Sequence, residues 1–150
     1  MTEAELGYIA GILDGEGSIY ISRRIPKDGH HRTVIHRAFV IIVNTNLELL
    51  SWITAKVGQG SISQHNGAPT GHKKPCYKYV ICGPAAARLL SDLLPMLIVK
   101  RKRAEIAIRL HLEGTWVPVV MRVKEKPAIE ELVRRNALWE ESRHVDCMGH

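Results

Sequence analysis

The chain is poor in several things, and each shortage excludes something. It has three cysteines in 150 residues. None forms a C-x₂-C pair of the kind that holds a structural metal, and an odd number makes no closed disulfide framework. Cys76 and Cys82 are six apart in one extended stretch, too far to bridge each other. That fits a reducing compartment and leaves a bridge between subunits open. No apolar run approaches the roughly 18 residues of a membrane span, and no charged-then-apolar leader opens the chain. The expectation is an intracellular protein of cytoplasm, nucleoid or organelle, with no membrane partner. No linker, low-complexity block or internal duplication divides the sequence. It is read as one domain over 1–150, with a core to about residue 113 and an extension over 114–150. Acids are also few: 15 against 21 Lys and Arg, for a net charge of +6 and a pI near 9.4. That balance suits a polyanionic partner, although charge alone favours nucleic acid only weakly.

What is present centres on Ile9-Ala10-Gly11-Ile12-Leu13-Asp14-Gly15-Glu16-Gly17. Thr2 and Glu5 have capping-box spacing, so a helix is expected from Glu3. Leu6, Ile9 and Leu13 give it an apolar stripe. Gly7, Ala10 and Gly11 give it a face nearly free of side chains, where another backbone can come close. Gly15 and Gly17 are expected to end it, through the left-handed conformations glycine tolerates. Glu16 is carried past that end, and Ser18 to Ser22 then alternates like a half-buried strand. A carboxylate with nearby backbone carbonyls is a hard oxygen donor set of the kind Mg²⁺ takes. A glycine-rich turn with a solvated acid is the plainer reading.

The match is longer than a turn. These nine residues resemble the signature of the LAGLIDADG homing endonucleases, present once. The resemblance implies a homodimer, because single-motif members pair through their motif helices. It makes Gly7, Ala10, Gly11 and Asp14 interface candidates. It makes Glu16, where Asp is commoner, the catalytic metal ligand, with the Gly15 carbonyl beside it. Asp14 is expected to cap or pack rather than bind metal.

The chain in order supports the same frame. A basic turn, Pro26 to Arg32, is followed by a long strand over Val34 to Val43. Thr45 and Glu48 repeat the capping-box spacing ahead of a helix from about Asn46 to Val57, closed by Gly58. Its stripe is Leu49, Leu50, Ile53 and Val57, with Trp52 at the edge. Ser61 to His65 and Cys76 to Cys82 are strands, joined by the turn-rich 66–71 and the basic His72-Lys73-Lys74. Pro84 opens a helix that ends before Pro95. The order αββαββα is the core of one LAGLIDADG unit. The fold implied is α+β, with a four-stranded antiparallel saddle sheet per subunit and additional C-terminal helices.

Four basic residues, Lys100 to Arg103, open the next helix, which is expected to stop at Gly114. By the family's Lys-x-Lys-x-Ala register, Lys100 is the active-site lysine, stabilising charge on the phosphate or organising the attacking water. Arg101, Lys102 and Arg103 are then backbone contacts or a solvated face. Asn44 falls nearest the third catalytic position, often Gln. Helix capping and catalysis stand level for it. Trp116 to Lys124 is read as extended. A last helix, about Pro127 to Ser142, has Ile129, Leu132, Val133 and Leu138 as its stripe, with Trp139 extending it. Arg134, Arg135 and Arg143 are offered for DNA-backbone contact. His144, Cys147 and His150 have a conceivable zinc spacing, but a frayed tail is the stronger reading.

The implied function is site-specific cleavage of double-stranded DNA. Mg²⁺ would be the metal, with Mn²⁺ substituting and Ca²⁺ binding without supporting cleavage. Two metal ions can activate water, neutralise charge and stabilise the leaving oxygen. The family outcome is a double-strand break with short 3′ overhangs at a pseudo-palindrome, here with an intron origin favoured. Tyr20, Ser22, Arg24, Arg32, His36, Ser63, His65 and Lys78 are the candidates for reading DNA from the sheet. Two alternatives remain: an RNA-binding intron maturase on the same fold, and a non-cleaving DNA-binding regulator.

Overall fold

The computed structural model describes residues 1–25, 34–65, 74–112 and 126–148. Arg32 with the turn at 26–32, the loop 66–71, His72, Lys73, Gly114, the stretch 116–124 and His150 lie outside the described residues. So do the side chains of Ile129 and Cys147.

Helix α1 (Glu3–Glu16) starts at the expected capping box. Thr2 Oγ1 accepts from the Glu5 N–H at 3.2 Å, and the Glu5 carboxylate accepts from the Thr2 N–H at 2.9 Å. Its end differs from expectation. Gly15 is helical, Glu16 is the last helical residue, and Gly17 is extended (φ −90°) rather than left-handed. Space, not handedness, requires glycine there: a Cβ on Gly17 would lie 2.4 Å from Leu13 Cδ1 and 2.9 Å from the Leu13 carbonyl oxygen. The chain can therefore turn straight from helix into strand.

Strand β1 (Gly17–Arg24) pairs with β2 (Ile35–Asn44). Helix α2 (Leu47–Val57) follows, then β3 (Ser61–Gln64), β4 (Tyr77–Cys82) and α3 (Gly83–Leu93). The sheet is antiparallel in the order β1-β2-β4-β3. A 3-10 turn over Leu94–Met96 absorbs Pro95, and α4 (Arg101–Leu112) and α5 (Lys126–Met148) complete the described elements. This is the expected αββαββα order with added helices. The last helix runs past Ser142 to Met148.

Asn46, not Thr45, caps α2, its Oδ1 accepting from the Leu49 N–H at 3.1 Å. Strand β2 continues through Asn44, so the turn begins one residue later than the Thr45 spacing suggests. Gly58 closes α2 in the left-handed region (φ 75°), where glycine costs least.

The helices bury one face of the sheet. Ile19, Ile21, Ala38, Val40, Ile42, Tyr79 and Ile81 join Ile9, Leu13, Leu50, Ile53, Leu90 and Leu93 in one core. At about 1.5–3 kcal/mol for each fully buried Ile or Leu, this layer fixes the sheet register. A one-residue slip would turn the whole set outward. On the opposite face, no side chain of a described residue is fully buried.

Helix α5 packs on α4 and β1 through a different stripe from the one expected. Val133 is 63% exposed, while Glu131, Arg135 and Leu138 are buried. Glu131 Oε1 accepts from Arg135 Nε and Arg134 Nη2, each at 2.7 Å. Arg134 also donates to the last-turn carbonyls of α4, Arg109 at 2.8 Å and Leu110 at 3.3 Å. Two charged residues, 131 and 135, thus occupy core positions by satisfying each other, which an apolar period does not register. Arg134 and Arg135 are built into this seam and are not offered to DNA. Arg143 is exposed, over the Trp139 ring.

Two histidines complete the seam. His36 is buried and donates from Nε2 to Asn136 Oδ1 at 3.0 Å. The assignment of His36 to DNA contact is therefore corrected: even positions of β2 (His36, Ala38, Val40, Ile42) face the helices. His111 Nε2 accepts from the Ala38 N–H at 3.0 Å, just past the point where the β4 ladder stops at Phe39 and Cys82. That bond requires neutral imidazole. Burial, then Arg135, Arg37 and Arg134, push the His111 pKa down to about 4. Burial also lowers that of His36, with Arg23 and Arg135 adding to it against the Asn136 bond.

Candidate active site

Three segments distant in sequence meet where α1 ends: the motif turn, the end of β2, and the junction into α4. Because Glu16 closes a helix on one edge strand, its carboxylate projects exposed at the end of the sheet. Asn44 Nδ2 donates to Glu16 Oε2 at 2.5 Å. The other end of the Asn44 amide accepts from the Asn46 N–H at 2.8 Å. Asn44 is thus braced by the α2 entry turn and aimed at Glu16, while the cap of α2 itself is Asn46.

Asp14 is turned inward. Its carboxylate accepts from three successive backbone N–H groups, Ile98 and Lys100 at 2.8 and 2.9 Å and Val99 at 3.2 Å. Such a run of N–H groups is a ready anion cradle. Burial works to raise the Asp14 pKa, but the three backbone donors and Lys100 outweigh it, and the net shift is downward. Asp14 therefore holds the α4 junction as a charged group. The Lys100 ammonium donates to the Asp14 carbonyl oxygen. Burial lowers the Lys100 pKa, opposed by Asp14 and reinforced by Arg103. The result is a half-buried lysine pinned within the motif turn.

The basic run looks odd as helix chemistry. Cations in a first turn oppose the macrodipole, each costing about 0.3–1 kcal/mol. Asp14 offsets part of that cost. Arg103 Nη1 donates to the Ile19 carbonyl at 2.9 Å, so it is a structural tie rather than a solvated face. Arg101 is exposed, with an ion pair to Glu105 at 3.7 Å, and Lys102 is exposed.

Among the four interface candidates, Gly7 and Gly11 are exposed, Asp14 is engaged as above, and Ala10 is fully buried within the protomer. The exposed small row is Gly7, Gly11 and Gly15, spaced at i, i+4, i+8. An open groove of about 520 Å³ follows it to Glu16 and Asn44, with Tyr8, Ile12 and Leu49 along its sides.

Beside this end lies the open sheet face. Tyr20, Arg24, Ser63 and His65 are exposed on it, and Ser22 and Lys78 half-buried. Arg37, absent from the sequence candidates, is also exposed there; Ser22 Oγ donates to its carbonyl at 3.4 Å. Its signal was the alternation against Ala38, Val40 and Ile42. The described part of this face carries Arg24, Arg37 and Lys78 and no acid.

The donor chemistry here fits a hard divalent cation only in part. Glu16 offers an exposed carboxylate and Gly15 an exposed backbone, but Asp14 is committed to the α4 junction. Among the described residues, no three His, Cys, Asp or Glu side chains gather within one chain. The described part of this cluster thus offers a single exposed carboxylate, that of Glu16.

No family model matches the sequence, and no curated protein matches it. Solved structures do match over nearly its whole length. The homing endonuclease I-CvuI, in complex with the I-CreI target in the presence of Mg, is 17% identical with a TM-score of 0.68. The match covers 99% of this chain and 96% of that one. The archaeal intron-encoded homing endonuclease I-Vdi141I, complexed with DNA, is 23% identical (TM-score 0.56; 97% and 98% covered). The group I intron-encoded homing endonuclease I-CeuI, also with DNA, is 15% identical (TM-score 0.62; 95% and 67% covered). At these identities the likeness establishes the fold: this chain folds as the homing endonucleases do.

Proposed function

From that fold, we propose that the chain is a site-specific DNA endonuclease that acts as a homodimer. One observation carries the reading. An exposed carboxylate, Glu16, is held by Asn44 at the end of a sheet face bearing cations and, among the described residues, no acid, with Lys100 anchored at the same helix end.

The exposed glycine row would let a second α1 pack closely, bringing two Glu16 carboxylates together. Solved homing endonucleases of this fold were obtained with Mg or with Ca, which supports a divalent metal here. Glu16 from each copy and the Gly15 carbonyl would hold it. When bound, such a metal supplies charge neutralisation at the phosphate and lowers the pKa of attacking water. Asn44 fixes the Glu16 carboxylate in one orientation. Lys100 donates to the phosphate oxygen on which charge grows as water adds at phosphorus and one P–O ester bond breaks. Its lowered pKa makes the Lys100 ammonium a stronger acid towards the leaving oxygen. The two-fold axis implies a pseudo-palindromic target, and two centres across the minor groove would leave short 3′ overhangs. An intron origin fits the intron-encoded neighbours.

The test is incubation of the purified chain with a plasmid library that includes intron-less host genes, with Mg²⁺. One linear product at one sequence, from a protein that sediments as a dimer, is the expected result. Absence of cleavage under Mg²⁺ and Mn²⁺ together with tight binding to intron RNA would replace this reading with a maturase.

A further inference from the structure

The open face of the sheet is not uniformly polar. Its rows follow from the strand register. Ser18, Ile41, Val80 and Ser61 lie in one row, and Tyr20, Phe39 and Cys82 in the next. Val43, Lys78 and Ser63 form the row on the other side. The edge strands are polar, and the central strands carry an apolar run between two cations, Arg37 and Lys78. Edge strands β1 and β3 present hydroxyls, Arg24 and His65. The central strands present Val43, Ile41, Phe39 and Val80, all half-buried. Phe39 is stacked by Tyr20, ring centroids 5.1 Å apart and 5° from parallel. This apolar spine is flanked by Arg37 and Lys78 and begins beside the Glu16 cluster.

The side chains of Phe39, Ile41, Val43 and Val80 have no donor or acceptor to offer a base amide or a phosphate. Duplex DNA offers one apolar group in the major groove, the thymine 5-methyl, and apolar side chains read it by contact. Flanking cations match the phosphates on either side of such a groove. We infer that this spine reads thymine methyl groups in each half-site, with Phe39, Ile41 and Val80 as specificity-determining residues. The inference rests on the endonuclease reading above and adds the base chemistry its target contains. Each methyl withdrawn from water against the spine contributes on the order of a buried CH₂, or about fourfold in affinity.

The experiment uses the whole chain. Duplexes bound by the wild type are selected from a random library in Ca²⁺. The selected site is then resynthesised with deoxyuridine in place of each thymidine, which removes only the methyl. Weakening of about fourfold at one or more positions in each half-site is expected. That penalty should vanish at one position in Phe39→Ser and at another in Ile41→Ser, with an unchanged salt dependence. The deoxyuridine series on the wild type stands even where a variant folds poorly. A selected site indifferent to deoxyuridine throughout overturns the inference alone. Failure to select any sequence, with no cleavage of the plasmid library, overturns the endonuclease reading and this inference with it.

Discussion

Two polar clusters flank the same sheet, and they are built to opposite ends. At the α1 end, Glu16, Asn44 and Lys100 are exposed or half-buried, and Glu16 has acceptor capacity to spare. At the α5 seam, His36, His111, Glu131 and Arg135 are buried and mostly committed to one another or to backbone. Polar groups do chemistry only where a ligand can reach them. Where it cannot, their partners are structural and their cost is desolvation. Charge and residue type alone do not separate the two clusters; access does. His36 shows this directly, being a plausible DNA-reading residue by type and a seam residue by position.

The contrast makes predictions that would break it. The largest effect should follow Glu131→Ala, which takes the shared carboxylate away from the buried Arg135 and from Arg134. A loss of about 3–5 kcal/mol in unfolding free energy is expected, measured by urea titration, with the DNA cleaved per folded molecule unchanged. If cleavage falls while stability holds, the seam is catalytic and the division fails.

Acid should act on the seam next. The folded His111 pKa, about 4, lies below its ordinary value of 6.5. The unfolded chain therefore binds the extra proton, and stability is full above pH 6.5 and falls as pH drops towards 4. His36 adds in the same direction. His111 alone should withdraw about 3 kcal/mol by pH 4, seen as a falling midpoint in thermal melts across that window. A midpoint flat from pH 7 to 4.5 would contradict the buried neutral state.

At the other cluster, Lys100→Met should lower the single-turnover cleavage rate about a hundredfold while affinity measured in Ca²⁺ changes little. Asp14→Asn should cost less, about tenfold in rate by analogy with a lost orienting partner. It carries a signature a purely structural residue would lack. Asp14 raises the Lys100 pKa, so losing its charge should move the alkaline limb of the pH–rate profile to lower pH. An unmoved limb would make Asp14 a capping residue only.

How much of this could be read from sequence divides along the same line. The Thr2–Glu5 box, the order of elements along the chain and the Gly58 stop follow from local patterns, and each was legible. Glu16 and Lys100 were legible through local motifs, although their meeting depends on Asp14, 84 to 86 residues from the N–H groups it caps. The seam was not legible. His36 and Asn136 are 100 residues apart, and Ala38 and His111 are 73 apart. Glu131 and Arg135 break the apolar period that would have marked their face as buried. The β2 faces could have been assigned from Ala38, Val40 and Ile42, and Arg37 with them.

The central claim is that Glu16 does chemistry rather than binding or support. The most direct measurement compares wild type and Glu16→Gln on the selected site, affinity in Ca²⁺ and single-turnover cleavage in Mg²⁺. The account predicts affinity within about threefold and a rate at least about a thousandfold lower. Cleavage by Glu16→Gln within about tenfold of wild type would contradict it.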